Sequence, residues 1–224
     1  FFNPLIVHIA SVKQLEDIVS HVPEKAKLLA KAFWPGAMTL VLKKQSIIPD
    51  LITAGKDTVA VRVPNHPITL KLLRQLPFPL AAPSANISQH LSPTKASHVK
   101  KDLGENLLNE NDMILDGGKT SIGLESTVIK TTKNGCKILR LGSLTIEDIK
   151  IKFPKYEISI DQSNVSPGNQ LKHYSPIKPI RINVDFVKKN ETLLNFGINE
   201  LASDIKSLNL SIDENLSDAS YNFY

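Results

Sequence analysis

The sequence predicts an α/β fold: a twisted, open sheet of mixed parallel and antiparallel strands with helices, then a linker and the start of a small α/β domain. Three observations predict it. Short apolar runs alternate with helical patterns, which calls for crossovers between parallel strands. Asn134-Gly135 separates two strand-like stretches, a hairpin signal that adds antiparallel pairing and argues against a purely parallel order. Pro154, Pro167, Gly168, Pro176 and Pro179 then interrupt all periodicity before apolar segments resume. The expected division is a core over 1–153, a linker over 154–179 and a further α/β unit over 180–224.

The elements follow in order. Leu5-Ile6-Val7-His8-Ile9 reads as a buried strand. Ser11 with Gln14 makes a capping-box pattern for a helix to Val22, and Pro23 opens a second helix whose Ala26, Leu29, Ala30 and Phe33 share a face. Trp34-Pro35-Gly36 stops that helix. Strands are expected over 38–42 and 58–63, a helix over 67–76, and a strand at Leu80-Ala81-Ala82 that runs into the loop Pro83-Ser84-Ala85-Asn86. Ser92-Pro93 predicts a helix to Leu103, and Met113-Ile114-Leu115-Asp116 a strand. Strands over 126–131 and 137–141 form the hairpin, and Thr145 caps a short helix to Ile151. In the last segment, 180–184, 192–196 and 201–208 suggest the opening of a βα unit.

At 224 residues and 24.7 kDa, with 42% hydrophobic and 22% charged residues, the chain has material for a core, which argues against disorder. No apolar run is long enough for a membrane span. One cysteine, Cys136, excludes a disulfide scaffold and a Cys-rich zinc site and suits a reducing, cytoplasmic setting. The net charge of +5 divides unevenly, +8 over 1–179 and −3 over 180–224. A basic body suits a nucleotide or RNA partner, although solvated surface lysines are the plainer reading of most of that charge. Neither G-x-G-x-x-G nor a Walker-type loop is present, G-x-S-x-G is absent, and no histidine pair has metal-ligand spacing, so no protein metal site is expected.

What stands out is a series of polar loops that directly follow apolar strands. Ser84 and Asn86 offer a hydroxyl and an amide beside a stiff Pro83, and Ser92 lies eight residues on. Small donors near a helix N-terminus suit phosphate oxygens, while a turn with a helix cap is the plainer reading. Gly123-Leu124-Glu125-Ser126-Thr127 either brings a hydroxyl pair to a ligand or merely caps a strand. Arg62 and Arg140 end strands, where a guanidinium binds carboxylate or phosphate bidentately or makes a surface ion pair. His8 ends the first strand as a core histidine or a carboxylate holder. His173-Tyr174 sits between prolines in the linker and reads as a strap docked over a site.

In register, these segments resemble the YrdC-like family. The motifs are Asn3 to His8, Phe33-Trp34-Pro35-Gly36, Thr39-Leu40, Arg62-Val63-Pro64, Pro83 to Asn86, Ser92-Pro93-Thr94, Asp116-Gly117-Gly118, Gly123 to Thr127, Leu139 to Gly142, Ser166-Pro167-Gly168 and His173 to Pro176. The linker and tail resemble its longer, two-domain threonylcarbamoyl-AMP synthases. The resemblance implies an enzyme that joins L-threonine, bicarbonate or CO2, and ATP with Mg²⁺ into threonylcarbamoyl-AMP and pyrophosphate. It further implies tRNA and a threonylcarbamoyl transferase complex as downstream partners. By motif, His8, Arg62, Ala82 and Ser126 would hold threonine. Thr58, Ser84, Ser92, Arg140, His173 and Tyr174 would contact the nucleotide, with Arg62, Ser84, Asn86 and Arg140 closest to the chemistry.

Ala37-Met38, Gln89, Leu141 and Asn169 depart from the family pattern, and the family's first strand, first helix and K-x-R segment should precede Phe1. The chain by itself is therefore expected to have little or no activity, with an incomplete domain at each end. Two other readings compete: an RNA-binding module without adenylation chemistry, and a carbamoyl-transfer domain of the hydrogenase-maturation type. Few aromatics (6%) and no RNA-stacking motif weigh against the first. The His-Tyr linker and acidic tail weigh against the second.

Overall fold

A computed structural model describes residues 3–88, 90–107, 109, 112–161 and 178–223. The chain forms two compact units. The first takes the described residues of 3–83 and 125–161, and the second those of 84–124 and 178–223.

The first unit is built on seven strands: β1 (Ile6–His8), β2 (Met38–Lys43), β3 (Thr58–Arg62), β4 (Leu80–Ala82), β5 (Thr127–Thr131), β6 (Gly135–Arg140) and β7 (Glu157–Ile160). Their order is β4-β1-β3-β2-β5-β6-β7. β1 pairs parallel to β3, β2 to β5 and β6 to β7, while β1–β4, β2–β3 and β5–β6 are antiparallel. The mixed sheet expected from the sequence is what forms.

Residues paired across strands share a face, so the register sorts the sheet into two sides. Val7, Leu40, Leu42, Val59, Val61, Ile129 and Ile138 point one way and join a single buried cluster. Against them pack α1 (Leu15–Ile18) and α2 (Glu24–Phe33), with Ala26, Leu29 and Ala30 of α2 fully buried because they recur at helical spacing. Ile149 of α6 (Ile146–Lys152) closes the cluster near β6. Burying a Leu or Ile of this kind contributes about 1.5–3 kcal/mol.

The opposite side carries a different set. Ile6 pairs with Ala60 and Ala82, His8 with Arg62 and Leu80, Thr39 with Val128, and Val128 with Arg140. This face therefore mixes apolar side chains with His8, Thr39, Arg62 and Arg140, the polar ones lying toward one end. Arg140 reaches it through a β-bulge. Ile129 pairs with Ile138 but Val128 pairs with Arg140, so Leu139 is an extra residue in β6. Simple alternation from Ile138 would turn Arg140 toward the core; the bulge turns it away.

Several elements differ from the sequence-based expectation. The helix after Ser11 is a 3₁₀ turn (Val12–Gln14) and the four-residue α1, because Val19 bridges to Lys44 and Ser20 N–H bonds the Lys43 carbonyl. Ser11 makes no side-chain cap; Gln14 Oε1 accepts from Ala10 N–H at 2.7 Å. Pro23 caps α2 from outside. A turn of helix, α3 (Asp50–Thr53), lies between β2 and β3, and α4 spans Pro67–Gln75 as expected. The hairpin forms, but Gly135 is already in β6, where an added Cβ would come within 2.3 Å of the Glu157 carbonyl oxygen of β7. That neighbouring strand lies in the stretch read as linker.

In the second unit, α5 spans Ala96–Leu107, starting three residues beyond the Ser92-Pro93 signal. Residues 113–116 are not a strand, and Met113 and Leu115 are exposed. β8 (Leu193–Asn195) and β9 (Ser207–Asn209) pair parallel, whereas 180–184 forms no strand. Helix α7 (Leu216–Asn222) is capped by Asn215, which accepts from Ser217 and Asp218 N–H, and its backbone lies against Gly123. The expected Ser166-Pro167-Gly168 and His173 to Pro176 strap lies outside the described residues.

Candidate functional site

Four of the sequence-derived site residues come together at one edge of the sheet. His8 and Arg62 end the parallel strands β1 and β3 side by side, Arg140 ends β6, and Ser126 immediately precedes β5. Antiparallel β2 begins at this same edge, with Thr39 one step inside it.

The loop before β2 fixes Arg62. The Trp34–Pro35 peptide is cis, Trp34 Nε1–H donates to the Met38 carbonyl at 2.7 Å, and Gly36 N–H donates to the Val63 carbonyl at 2.9 Å. The Gly36 carbonyl in turn accepts from Arg62 Nε–H at 2.8 Å. A Cβ at position 36 would sit 2.3 Å from the Phe33 carbonyl oxygen, so this close approach requires glycine.

The segment Glu125-Ser126-Thr127 is held from three sides. Thr127 N–H donates to the Ala37 carbonyl and Thr127 Oγ1–H to the Leu144 carbonyl at 2.7 Å. Ser143 N–H bonds the Glu125 carbonyl at 3.0 Å. Arg140 donates from Nε and Nη2 to the Ser126 carbonyl (3.1 and 2.8 Å) and from Nη2 to Ser126 Oγ (3.1 Å), while Nη1 pairs with the Glu125 carboxylate. Ser126 Oγ also lies 2.7 Å from Thr39 Oγ1.

Charge is unevenly balanced here. Burial, and then the nearby Arg140 charge, push the Arg62 guanidinium below its usual range. Arg140 has Glu125 as counterion; Arg62 has no ion pair among the described residues. Burial first, and the Arg62 charge second, lower His8 to about 4, with backbone hydrogen bonds to Leu80 and Ile6 partly offsetting them. His8 is therefore neutral at pH 7. Among the described residues this edge has one uncompensated positive charge and a surplus of donors, an arrangement that suits a carboxylate or another small anion.

The remaining predicted residues lie elsewhere. Thr58 shares the polar face but opens β3 opposite Lys43, about 13 Å from Arg62 at roughly 3.3 Å per residue. Ala82 pairs with Ile6, one step of the alternation from His8. Ser84, Asn86 and Ser92 belong to the second unit. Ser84 is exposed, and Asn86 Nδ2 donates to the Ile87 and His90 carbonyls at 2.9 Å each while its Oδ1 is occluded without a partner among the described residues. Ser92 is half-buried. His173 and Tyr174 lie outside the described residues. No group of three or more His, Cys, Asp or Glu among the described residues could hold a metal ion, and no helix there is long and apolar enough to cross a membrane.

Residues 2–142 match the profile of the Sua5/YciO/YrdC family, described as "Telomere recombination". The chain belongs to this family. It is 48% identical over 181 residues to the threonylcarbamoyl-AMP synthase of Pyrococcus abyssi, covering 78% of this chain and 52% of that protein. The Bacillus subtilis threonylcarbamoyl-AMP synthase is 46% identical over 186 residues, covering 80% and 53%. The chain thus spans about half the length of these curated relatives. The crystal structure of P. abyssi Sua5 complexed with L-threonine superimposes with a TM-score of 0.79 at 34% identity, covering 99% of this chain and 69% of that one.

Reading the sequence alone missed Thr39 and Glu125 as site residues. The signal for Thr39 is a hydroxyl inside the otherwise apolar run Met38-Thr39-Leu40-Val41-Leu42, where alternation assigns it to the face opposite Leu40. Glu125 has no comparable signal, because its partnership with Arg140 exists only once β6 folds back on β5.

Proposed function

We propose that this chain carries the threonine-binding portion of an L-threonylcarbamoyladenylate synthase, active in the cytoplasm. The observation that carries this reading is Arg62, a half-buried guanidinium with no ion pair among the described residues, beside neutral His8 and the Ser126–Arg140 fork. The threonine carboxylate supplies the missing counterion. The names of the closely similar synthases, and the threonine-bound crystal structure to which the chain is similar, favour this amino acid and this reaction over carbamoyl transfer of another type.

In the proposed reaction the neutral threonine amine adds to CO2 with loss of a proton to solvent, or condenses with bicarbonate with loss of water, to form a carbamate. A carbamate oxygen attacks the ATP α-phosphorus and pyrophosphate leaves. Nucleophilic residues are not required; orientation and charge neutralisation are. Arg62 orients threonine by its carboxylate, and Arg140, its geometry set by Glu125 and Ser126, is assigned to the nucleotide on the family motif. We assign Ala82 to the threonine side, and Thr58, Ser84, Asn86, Ser92, His173 and Tyr174 to nucleotide contacts, on the family motifs alone. We assign Mg²⁺ to the MgATP substrate, where it would balance the polyphosphate charge, on the family resemblance alone. The adenylate product then serves a threonylcarbamoyl transferase acting on tRNA.

Two measurements on the full-length protein test this. Calorimetry should detect L-threonine binding that Arg62→Leu abolishes. Pyrophosphate release from ATP should require both threonine and bicarbonate. Release without threonine, or unchanged threonine affinity in Arg62→Leu, overturns the assignment.

A further inference from the structure

Thr39 lies at the centre of the polar face yet belongs to none of the family motif positions assigned above to a ligand. It is completely buried, and Ser126, 3% exposed, is the only hydrogen-bond partner of Thr39 Oγ1 among the described residues, at 2.7 Å. The distance leaves open which hydroxyl donates; the surroundings decide it.

Each hydroxyl has one proton to give and two lone pairs to accept with. Arg140 Nη2 can only donate, so its 3.1 Å contact makes Ser126 Oγ an acceptor. If Ser126 also gave its proton to Thr39, the Thr39 proton would be buried with nothing to receive it. A buried donor without an acceptor is costly, whereas a hydroxyl oxygen with a spare lone pair is tolerated. Ser126 is itself only 3% exposed, so its proton needs an acceptor in turn; with a carboxylate oxygen to take it, Thr39 donating to Ser126 leaves neither hydroxyl proton unpaired and is the lower-energy arrangement. Ser126 Oγ then accepts from both Thr39 and Arg140, and its own proton is left for a third partner.

We infer that Thr39 is a positioning residue that sets the proton polarity of Ser126, so that Ser126 presents a hydrogen-bond donor to an oxygen of the substrate carboxylate held by Arg62. The inference rests on the threonine reading above and deepens it. The edge then offers only donors from Arg62, Arg140 and Ser126, which selects an acceptor-rich group. In the opposite polarity Ser126 would present only lone pairs and would oppose a carboxylate. Because Thr39 is one bond removed from the ligand, it acts through orientation and not through contact.

The test uses L-threonine and a non-hydrolysable ATP analogue as titrants with the full-length protein, its Thr39→Val and Thr39→Ser variants, and Ser126→Ala. Thr39→Val keeps the side-chain shape and removes the hydroxyl. It should weaken threonine binding about tenfold, in the range of one hydrogen bond, and raise KM for threonine while KM for ATP stays unchanged. Thr39→Ser should restore wild-type threonine binding. Thr39→Val in a Ser126→Ala background should cost nothing further, because the oriented hydroxyl is already gone. Equal threonine affinity in wild type and Thr39→Val overturns the inference, as does a loss that Thr39→Ser fails to restore, or an equal loss for the nucleotide analogue, each of which marks a packing role. Failure of the wild type to bind threonine while still binding the nucleotide analogue instead overturns the threonine reading itself, and this inference with it.

Discussion

His8 gives the folded chain a defined acid weakness. Burial and the Arg62 charge hold its pKa at about 4, against 6.5 for an unperturbed imidazole. Between those two values the unfolded chain binds a proton that the folded chain refuses, so stability is lost as pH falls through this window and is unaffected by His8 above it. At pH 5 the loss works out at about 2 kcal/mol, an upper bound because partial exposure of His8 screens the charge. His8→Gln retains a polar side chain and cannot titrate. Denaturant unfolding of both proteins at pH 7.5 and pH 5 isolates the effect, since every other titrating group is common to them. The wild type should lose up to about 2 kcal/mol more than the variant across that interval. Equal losses would refute the reasoning. An NMR titration of the imidazole adds the cause: in Arg62→Gln the His8 pKa should rise but stay below 6.5, because burial, the larger effect, remains.

Gly142→Ala should destabilise the chain by about 1–3 kcal/mol and weaken threonine binding, because overpacking here meets backbone. The new Cβ would lie 2.4 Å from the Glu125 carbonyl oxygen and 2.6 Å from Ser126 C and Thr127 N, atoms held by the same network that sets Ser126; chemical denaturation and calorimetry read the two effects. Thr145→Ala should cost about 1 kcal/mol in the same denaturation assay, the usual value of a helix N-cap, without changing threonine affinity. Thr145 Oγ1 caps Asp148 N–H at 3.1 Å and the Asp148 carboxylate accepts from Thr145 N–H at 3.0 Å, bonds confined to the first turn of α6. The Asp148 pKa, held below the usual carboxylate range chiefly by the Thr145 hydroxyl, should rise in the variant, which an NMR titration follows.

The sequence was most legible where a single physical requirement governed several consecutive residues. β3 alternates Thr58-Val59-Ala60-Val61-Arg62, and the buried Val59 and Val61 against the polar ends follow from period two. Thr145 announced α6 because an N-cap is a local signal, and the structure completes it as a capping box with Asp148. β7 could not be read that way: Glu157-Ile158-Ser159-Ile160 is a sheet edge, with little apolar demand and a proline before it. The apolar run at Met113-Ile114-Leu115 misled for the opposite reason, since its side chains are not buried and hydrophobicity there reports no strand. At the candidate site the strand-end arginines were visible as residue types. The bulge at Leu139 that aims Arg140, and the Glu125 carboxylate that neutralises it, depend on the pairing of β5 with β6 and have no local signature.

That pairing gives the two arginines different duties. Arg140 is neutralised by Glu125 and committed to Ser126, so its geometry is set before any ligand arrives. Arg62 is anchored by Nε to a carbonyl but retains an unbalanced charge, raised in energy by burial and by Arg140. An incoming carboxylate relieves both penalties at once, which directs the anion to Arg62. Under the proposed reaction the consequence extends to the amine. With Arg62 paired to the carboxylate and Arg140 to Glu125, the described side chains of this edge offer an ammonium group no free anion, which favours the neutral amine. The neutral amine is the form that reacts to give a carbamate. A neutral His8 belongs to this logic: a protonated imidazole would add repulsion against Arg62, whereas a carboxylate in its place would pair with Arg62 and compete with the substrate.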